Sequence, residues 1–135
     1  MLTEADFELL ARHTDAENGH RLDDTLATLT PDCTFEDAAL GLTLTGHAGA
    51  AEYYRMWWDG LDVTVDVENV LTVADQPIVV AETTWRGHHI GPFLDVPATN
   101  QPVRVPVVII ARLEAGLLAH ERLYWDRQQV LDQMR

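Results

Sequence analysis

Apolar residues at the start of the chain recur at the spacing of an α-helix. In the stretch TEADFELLARHTDA, Phe7, Leu10 and Ala11 fall on one helical stripe. Thr3, followed three residues later by Asp6, is an acidic form of the capping box that begins many helices. The pattern therefore predicts a first helix from about Thr3.

Two more helices are predicted before the hydrophobic pattern changes from helical spacing to the alternation of β-strands. GHRLDDTLATLTPD places Leu22, Leu26 and Leu29 at helical spacing, and Pro31 is expected to end this second helix. AGAAEYYRMWWDGL predicts a third helix, which Gly60 should stop. The segment between them, CTFEDAALGLTLTG, indicates a short strand and a loop.

The rest of the chain has the two-residue period of β-strands. DVTVDVENV alternates strictly, with Val63, Val65 and Val67 on one face. Three more β-rich runs follow, IVVAETTWRG, VRVPVVIIARL and LLAHERLYW, with turns at ADQP and EAG and a Pro-rich loop at LDVPATNQP. Helices followed by a meander of strands predict an α+β fold, with the N-terminal helices packed on one face of a curved antiparallel β-sheet.

Composition sets the broad class of the protein. A length of 135 residues with 47% hydrophobic residues predicts one globular domain over residues 1–135. The net charge of −13 argues against nucleic acid or an anionic membrane as a partner. No apolar run approaches the ~20 residues of a membrane helix, and the acidic N-terminus does not resemble a secretory signal. The single cysteine, Cys33, fits a cytoplasmic protein and is expected to fill space in the core.

The residue types that are missing limit the possible chemistry. The chain contains no serine and no lysine, which excludes serine nucleophiles and Schiff-base lysines. His88 and His89 would point to opposite faces of a strand, and no His or Cys spacing supports zinc, so no metal site is predicted. Catalysis would have to use Asp, Glu, His, Tyr, Thr, Cys or Arg.

The end of the last strand, HERLYWDR, carries the main candidate for acid/base chemistry. If the strand continues, Asp126 shares a face with Tyr124, Arg122 and His120, while Glu121 and its alternate neighbours take the other face. That polar face could line a cavity or lie outside the sheet, and a bulge would shift the phase. Asp126 could instead be the N-cap of a final helix in RQQVLDQM.

Aromatic and cationic residues provide candidates for ligand binding. Tyr54 and Trp57 belong to an aromatic cluster on the third helix, which could be core or the wall of a pocket. Arg104 and Arg112 should share one face of a strand, where they could bind a ligand or form salt bridges. His89 could donate a proton or polarise a carbonyl group, or be merely polar.

Three segments, GHAGAAEYYRMWWDGL, WRGHHIGPFLDVPATNQPVRV and RLEAGLLAHERLYWDRQQVLDQM, resemble the SnoaL-like polyketide cyclase family and its ester-cyclase-like branch. The family segment G-x-H-x-G-x-F is matched by Gly87, His89, Gly91 and Phe93, and the final aspartate of the last strand by Asp126. The resemblance covers the chain from FED to the C-terminus. It implies a cone-shaped NTF2-like fold, in which helices cover the concave face of the sheet, and a homodimer formed through the sheet.

The chain departs from the family pattern in the last strand. A Glu-His order is reversed to His120-Glu121, and the usual tryptophan is replaced by Arg122. The Pro-Pro-Thr-Gly-like turn is altered to Pro97, Ala98, Thr99 and Asn100. The arginine suggests that the pocket prefers a different ligand, for example an anionic one.

The resemblance implies a cofactor-free lyase or isomerase that acts on a small, mostly apolar carbonyl compound. Asp126 would abstract a proton next to a carbonyl group, and intramolecular aldol closure would follow. His89 or Tyr124 would hydrogen-bond the enolate oxygen, and burial would raise the pKa of Asp126. The predicted binding residues are Tyr54, Trp57, Trp85, Arg104, Arg122 and Tyr124.

Two other functions remain open from the sequence. The domain could bind a small molecule without catalysis, or it could be an interaction domain whose cone is filled by its own side chains. An empty cavity of a few hundred Å³ beside Asp126 would favour an enzyme or a binding protein over a filled cone.

Overall fold

A computed structural model describes residues 1–135, which form four helices and six strands. The helices are α1 (Glu4–Asn18), α2 (Leu22–Leu26), α3 (Gly46–Leu61) and α4 (Arg127–Gln133). The strands are β1 (Leu29–Asp37), β2 (Leu42–Thr45), β3 (Thr64–Thr72), β4 (Ile78–His88), β5 (Pro102–Glu114) and β6 (Leu117–Tyr124). None of the helices has the length and apolar character that a membrane crossing requires.

The six strands form one curved sheet in the order β2-β1-β6-β5-β4-β3. All neighbours are antiparallel except β1 and β6, which are parallel. The predicted α+β class and the long antiparallel meander are confirmed. The parallel pair was not predicted from the sequence, because β1 and β6 lie at opposite ends of the chain and no local pattern shows that they meet.

The helices begin and end largely as their sequences predict. Thr3 and Asp6 form a reciprocal capping box, in which each side chain bonds the other residue's backbone N–H at 3.2 and 2.9 Å. Helix α3 runs one residue past Gly60 to Leu61, and its C-cap is Asp62, whose backbone is left-handed with φ 50°.

The predicted second helix is wrong in its second half. Helix α2 ends at Leu26, and the chain enters β1 at Leu29, so Pro31 lies inside a strand instead of ending a helix. The pairing of β1 with β6 shifts register between Leu29 and Thr34. This irregularity accommodates a proline that cannot donate a ladder hydrogen bond.

The core lies between α3 and the inner face of the sheet. Aromatic side chains of α3 stack on one another and on the sheet, and Trp57 packs against Trp85, Phe93 and Trp125 with ring centroids 4.6 to 5.2 Å apart. Burial of these large rings supplies much of the apolar area that stabilises the fold. Helix α1 packs against α2 and lies over edge strand β3.

Two side-chain amides hold exposed strand backbone in place. Asn18, at the end of α1, donates to the carbonyl oxygen of Val65 at 2.9 Å and accepts from its N–H at 2.6 Å. Gln133 of α4 makes the same pair of bonds with Arg104 on β5, at 2.9 and 2.6 Å. Each amide replaces a missing neighbouring strand, and Asn18 thereby fixes α1 over β3.

Candidate active site

A cavity of about 570 Å³ lies between α1 and the inner face of the sheet. Phe7, Leu10 and Thr14 of α1 form one wall, and Val65 and Val67 of edge strand β3 face them. A cavity of the size that favours an enzyme or a binding protein is therefore present, but Asp126 does not line it. Its other lining residues are Ala11, His13, Asp15, Glu17, Asn18, Val70, Val79, Ala81, Thr83, Ile109, Ala111, Leu118 and Glu121.

Glu121 is the carboxylate that β6 presents to this cavity. The residue is 8% exposed, and neither of its oxygens accepts a hydrogen bond from the chain. Burial raises the pKa of Glu121 to about 7, with the charge of His13 acting to lower it and the charge of Glu17 to raise it further. A carboxyl group with this pKa can accept and return a proton near neutral pH.

His13 and Glu17 lie one turn apart on α1 and face the same cavity. The hydroxyl of Thr28 donates its only proton to the carbonyl oxygen of Thr25 at 2.6 Å. It can therefore only accept from Nδ1 of His13, 2.7 Å away, so Nδ1 carries a proton. Nε2 of His13 is 3.2 Å from Oε2 of Glu17.

The Glu17 carboxylate favours the imidazolium form of His13. Burial alone lowers the pKa of His13, but the hydrogen bond and charge of Glu17, together with the charge of Glu121, outweigh it and raise the pKa. The charged form of His13 is therefore favoured by two carboxylates, Glu17 of α1 and Glu121 of β6.

Tyr54 of α3 lies behind the cavity lining and is itself buried. Its ring is 6.2 Å from that of His13, and its hydroxyl has no hydrogen-bond partner. Burial raises the pKa of Tyr54 well above its ordinary value, and the charges of Glu121 and Glu17 add to the effect. The hydroxyl is a proton-bearing donor left free beside the two carboxylates.

Asp37, at the end of β1, is a buried carboxylate whose role is structural, in contrast to Glu121. It is buried outside the cavity, where it accepts hydrogen bonds from the Tyr53 hydroxyl at 2.5 Å, the Trp125 indole at 2.8 Å and the backbone N–H of Leu40 at 2.9 Å. These bonds hold the end of β6 against β1. The fold uses the hydrogen-bonding capacity of Asp37 but leaves that of Glu121 free.

The prediction that Asp126 lies in the cavity is wrong. Strand β6 ends at Tyr124, and Asp126 is the exposed N-cap of α4, where Oδ1 accepts the backbone N–H of Gln129 at 3.1 Å. The alternative role, that of a helix cap, is the one the structure supports. Tyr124 and Arg122 are exposed on the outer face of the sheet, and Arg122 is paired with Glu36 at 2.9 Å.

His89 does not reach the cavity either. Its ring is completely buried, with Nδ1 2.9 Å from the Thr99 hydroxyl and Nε2 donating to the carbonyl oxygen of Val96 at 3.1 Å. The ring therefore braces the loop between β4 and β5. This bracing, rather than proton transfer, is its role in the structure.

The rest of the G-x-H-x-G-x-F segment is also structural. A Cβ at Gly87 would lie 1.9 Å from the carbonyl oxygen of Leu61, and one at Gly91 would lie 2.4 Å from that of Asp59. Phe93 packs on Trp57. The motif therefore marks the place where this loop presses against the end of α3.

The remaining predicted binding residues do not line the cavity. Trp57 and Trp85 are buried in the aromatic core, and the Trp85 indole donates to the hydroxyl of Thr83, a lining residue, at 3.0 Å. Arg104 is exposed on the outer face of β5, opposite Arg86. Since no arginine lines the cavity, the expectation of an anionic ligand loses its basis.

Glu121, His13 and Glu17 were not predicted as site residues. The alternation of the last strand places Glu121 on the face opposite Arg122 and Tyr124, and the structure confirms this. The signal for the other two was available: Leu9, His13 and Glu17 follow one another at four-residue spacing, which places ionisable groups on the buried stripe of α1.

Comparison with known proteins agrees with this architecture. The family model for SnoaL-like polyketide cyclases matches residues 7–134. No curated protein matches the chain significantly.

Several solved structures are similar over most of their length. A candidate SnoaL-like polyketide cyclase from Jannaschia sp. CCS1 is 26% identical, with a TM-score of 0.85 over 96% of this chain and 91% of that one. A Catenulispora acidiphila protein with a ketosteroid isomerase-like fold, in complex with trimethylamine, is 20% identical, with a TM-score of 0.79 over 94% and 92%. AclR, a candidate hydroxylase from Streptomyces galilaeus, is 18% identical, with a TM-score of 0.80 over 96% and 83%. With a family model that matches nearly its whole length, the chain belongs to the SnoaL-like polyketide cyclase family and has the NTF2-like fold.

Proposed function

We propose that the protein is a cofactor-free acid/base enzyme that acts on a small, mostly apolar carbonyl compound, with Glu121 as the proton-transferring group. The single observation that carries this proposal is the placement of Glu121: a buried carboxyl group with no hydrogen-bond partner opens onto a cavity of about 570 Å³. Groups whose pKa is shifted toward neutral by burial are characteristic of acid/base sites.

The proposed reaction is intramolecular aldol closure. Ionised Glu121 takes a proton from the carbon next to a carbonyl group, and the C–H electron pair moves onto the carbonyl oxygen as an enolate. The enolate carbon attacks a second carbonyl carbon of the same molecule, which forms a C–C bond and an alkoxide. The alkoxide takes the proton back from Glu121, so the reaction needs no oxidant or reductant.

The remaining site residues support this cycle. The imidazolium of His13, held by Thr28 and Glu17, is a positive charge that stabilises ionised Glu121 and the developing enolate. Tyr54 remains a candidate binding residue, because its free hydroxyl lies near both carboxylates. The apolar walls would hold a folded chain with its reacting carbons close together.

Proton exchange provides a test that does not require the natural substrate. 2-Tetralone, an apolar ketone with acidic α-protons, would be incubated with the protein in D₂O and its α-proton signal followed by NMR. The proposal predicts exchange faster than in buffer, abolished by Glu121→Gln and retained by Asp126→Asn. Exchange that persists in Glu121→Gln would contradict the assignment.

A non-catalytic binding domain is the second candidate, and the same cavity favours it. In that case apolar ketones would bind, as observed by thermal shift, but no variant would change the exchange rate from that in buffer.

A further inference from the structure

The ionisable groups that line the cavity are mostly acidic. Among its 18 lining residues these groups are Asp15, Glu17, Glu121 and His13, and none of the nine arginines of this lysine-free chain is included. Asp15 is exposed and paired with Arg21 at 2.9 Å. Since His13 is already paired with Glu17, the cavity has no free cation for an anionic ligand.

Glu121 has acceptor capacity that the chain does not use. A buried carboxylate normally accepts two or three hydrogen bonds, as Asp37 does, because an unpartnered polar atom in a low-dielectric site is costly. The groups whose charges act on Glu121 are His13 and Glu17 of α1. A ligand that brings a donor to Glu121 would remove this cost on binding.

We propose that the cavity selects ligands by charge: the group that reaches Glu121 is an uncharged or cationic hydrogen-bond donor, such as a hydroxyl or an amine on a mostly apolar molecule, and ligands that carry a carboxylate at this end are rejected. This inference concerns the same cavity as the proposed function. It concerns binding alone and does not require that Glu121 transfer a proton.

The selection should depend on pH in a defined direction. Above pH 7 Glu121 is ionised, so it repels a carboxylate and accepts from a hydroxyl; below pH 7 it is protonated and can donate to a carboxylate. The other groups near it act as follows. Nε2 of His13 lies 3.2 Å from Oε2 of Glu17, which helps to raise the pKa of His13 and favours its charged form. Burial raises the pKa values of Tyr54 and Cys33, so both stay neutral between pH 6 and 8.

Three probes of matched shape test the inference by calorimetric titration: 2-naphthalenemethanol, 2-naphthoate and 2-methylnaphthalene. At pH 8 we expect the alcohol to bind at least about tenfold more tightly than the carboxylate, and also more tightly than the hydrocarbon. At pH 6 the preference for the alcohol over the carboxylate should shrink. Glu121→Gln should abolish the pH dependence of the ratio, and Glu52→Gln, which removes an exposed acid of α3, should leave it unchanged.

Equal or tighter binding of the carboxylate at pH 8, a ratio unaffected by Glu121→Gln, or no binding of any of the three probes would overturn the inference. Its failure can be distinguished from that of the proposed function. Charge selection without any ketone proton exchange would leave this inference standing and remove the catalytic proposal. Exchange that depends on Glu121 but shows no charge selection would do the reverse.

Discussion

Nε2 of His13 lies 3.2 Å from Oε2 of Glu17, one turn along α1, and both residues face the cavity onto which Glu121 opens from β6. The ion pair and the lone carboxyl group thus come from the two ends of the chain. The charge of His13 acts to lower the pKa of Glu121 and the charge of Glu17 acts to raise it, so the protonation of Glu121 depends on the charged groups of α1.

Removing the cation should therefore change the titration of Glu121. We predict that His13→Gln raises the pKa of Glu121 above about 7, because the charge that stabilises its ionised form is lost. The pKa would be followed by NMR of the side-chain carboxyl carbon. His88→Gln, a change at an exposed histidine outside the cavity, should have no effect, and an unchanged or lowered pKa in His13→Gln would refute the coupling.

The raised pKa of Glu121 should also be visible in folding stability. The folded state holds this proton up to about pH 7, whereas the unfolded chain releases it near 4.5. The stability that the protonated group contributes is therefore complete below pH 4.5 and is lost as the pH rises through 7. We expect Glu121→Gln, which mimics the protonated form, to be more stable than the wild type at pH 8 by up to about 3 kcal/mol, with little difference near pH 4.5. Urea unfolding at both pH values measures this, and a variant less stable at pH 8 would contradict it.

Asp126 should matter for stability and not for the cavity. Asp126→Ala removes the N-cap of α4 and should cost about 1 kcal/mol, whereas Asp126→Asn, which preserves a capping oxygen, should cost a few tenths at most. Chemical denaturation compares the two variants. The cap assignment fails if Asn proves as costly as Ala.

The outer face of the sheet supports the prediction of a homodimer. Val108 and Tyr124 are paired across β5 and β6 on this face and are 38% and 42% exposed. We expect light scattering to give the mass of a dimer, and Val108→Arg to shift it toward the monomer. Ile90→Arg, at an exposed loop position, is the control. A wild-type monomer would end this proposal.

The architecture was predictable because its signals are local. Capping by Thr3 and Asp6, the helix α1 and the strand around Val65 each depend on a few neighbouring residues and appear as predicted. The predicted stripe of Phe7, Leu10 and Ala11 lines the cavity, whereas the buried stripe of α1 is formed by other residues, Leu9, His13 and Glu17. Pro31 misled the prediction, because whether a proline ends a helix or sits in an irregular strand depends on β6, almost 90 residues away.

The site was less predictable because its geometry is set by long-range packing. The resemblance favoured Asp126, but whether β6 continues to that residue is decided by Trp125, which turns inward to bond Asp37, and by the start of α4. Similarly, His13 becomes a cavity residue only because Thr28 and β6 approach α1. The alternation of side chains correctly placed Glu121 and Tyr124 on opposite faces of β6. It could not show which of the two faces the helices cover.

The most direct test of the account is the titration of Glu121 in the wild-type protein. Side-chain carboxyl carbons would be followed by NMR from pH 4 to 9, and the Glu121 signal identified by its absence from Glu121→Gln. We predict a midpoint at about 7. A midpoint near the ordinary value of 4.5 would show that Glu121 is no acid/base group at neutral pH.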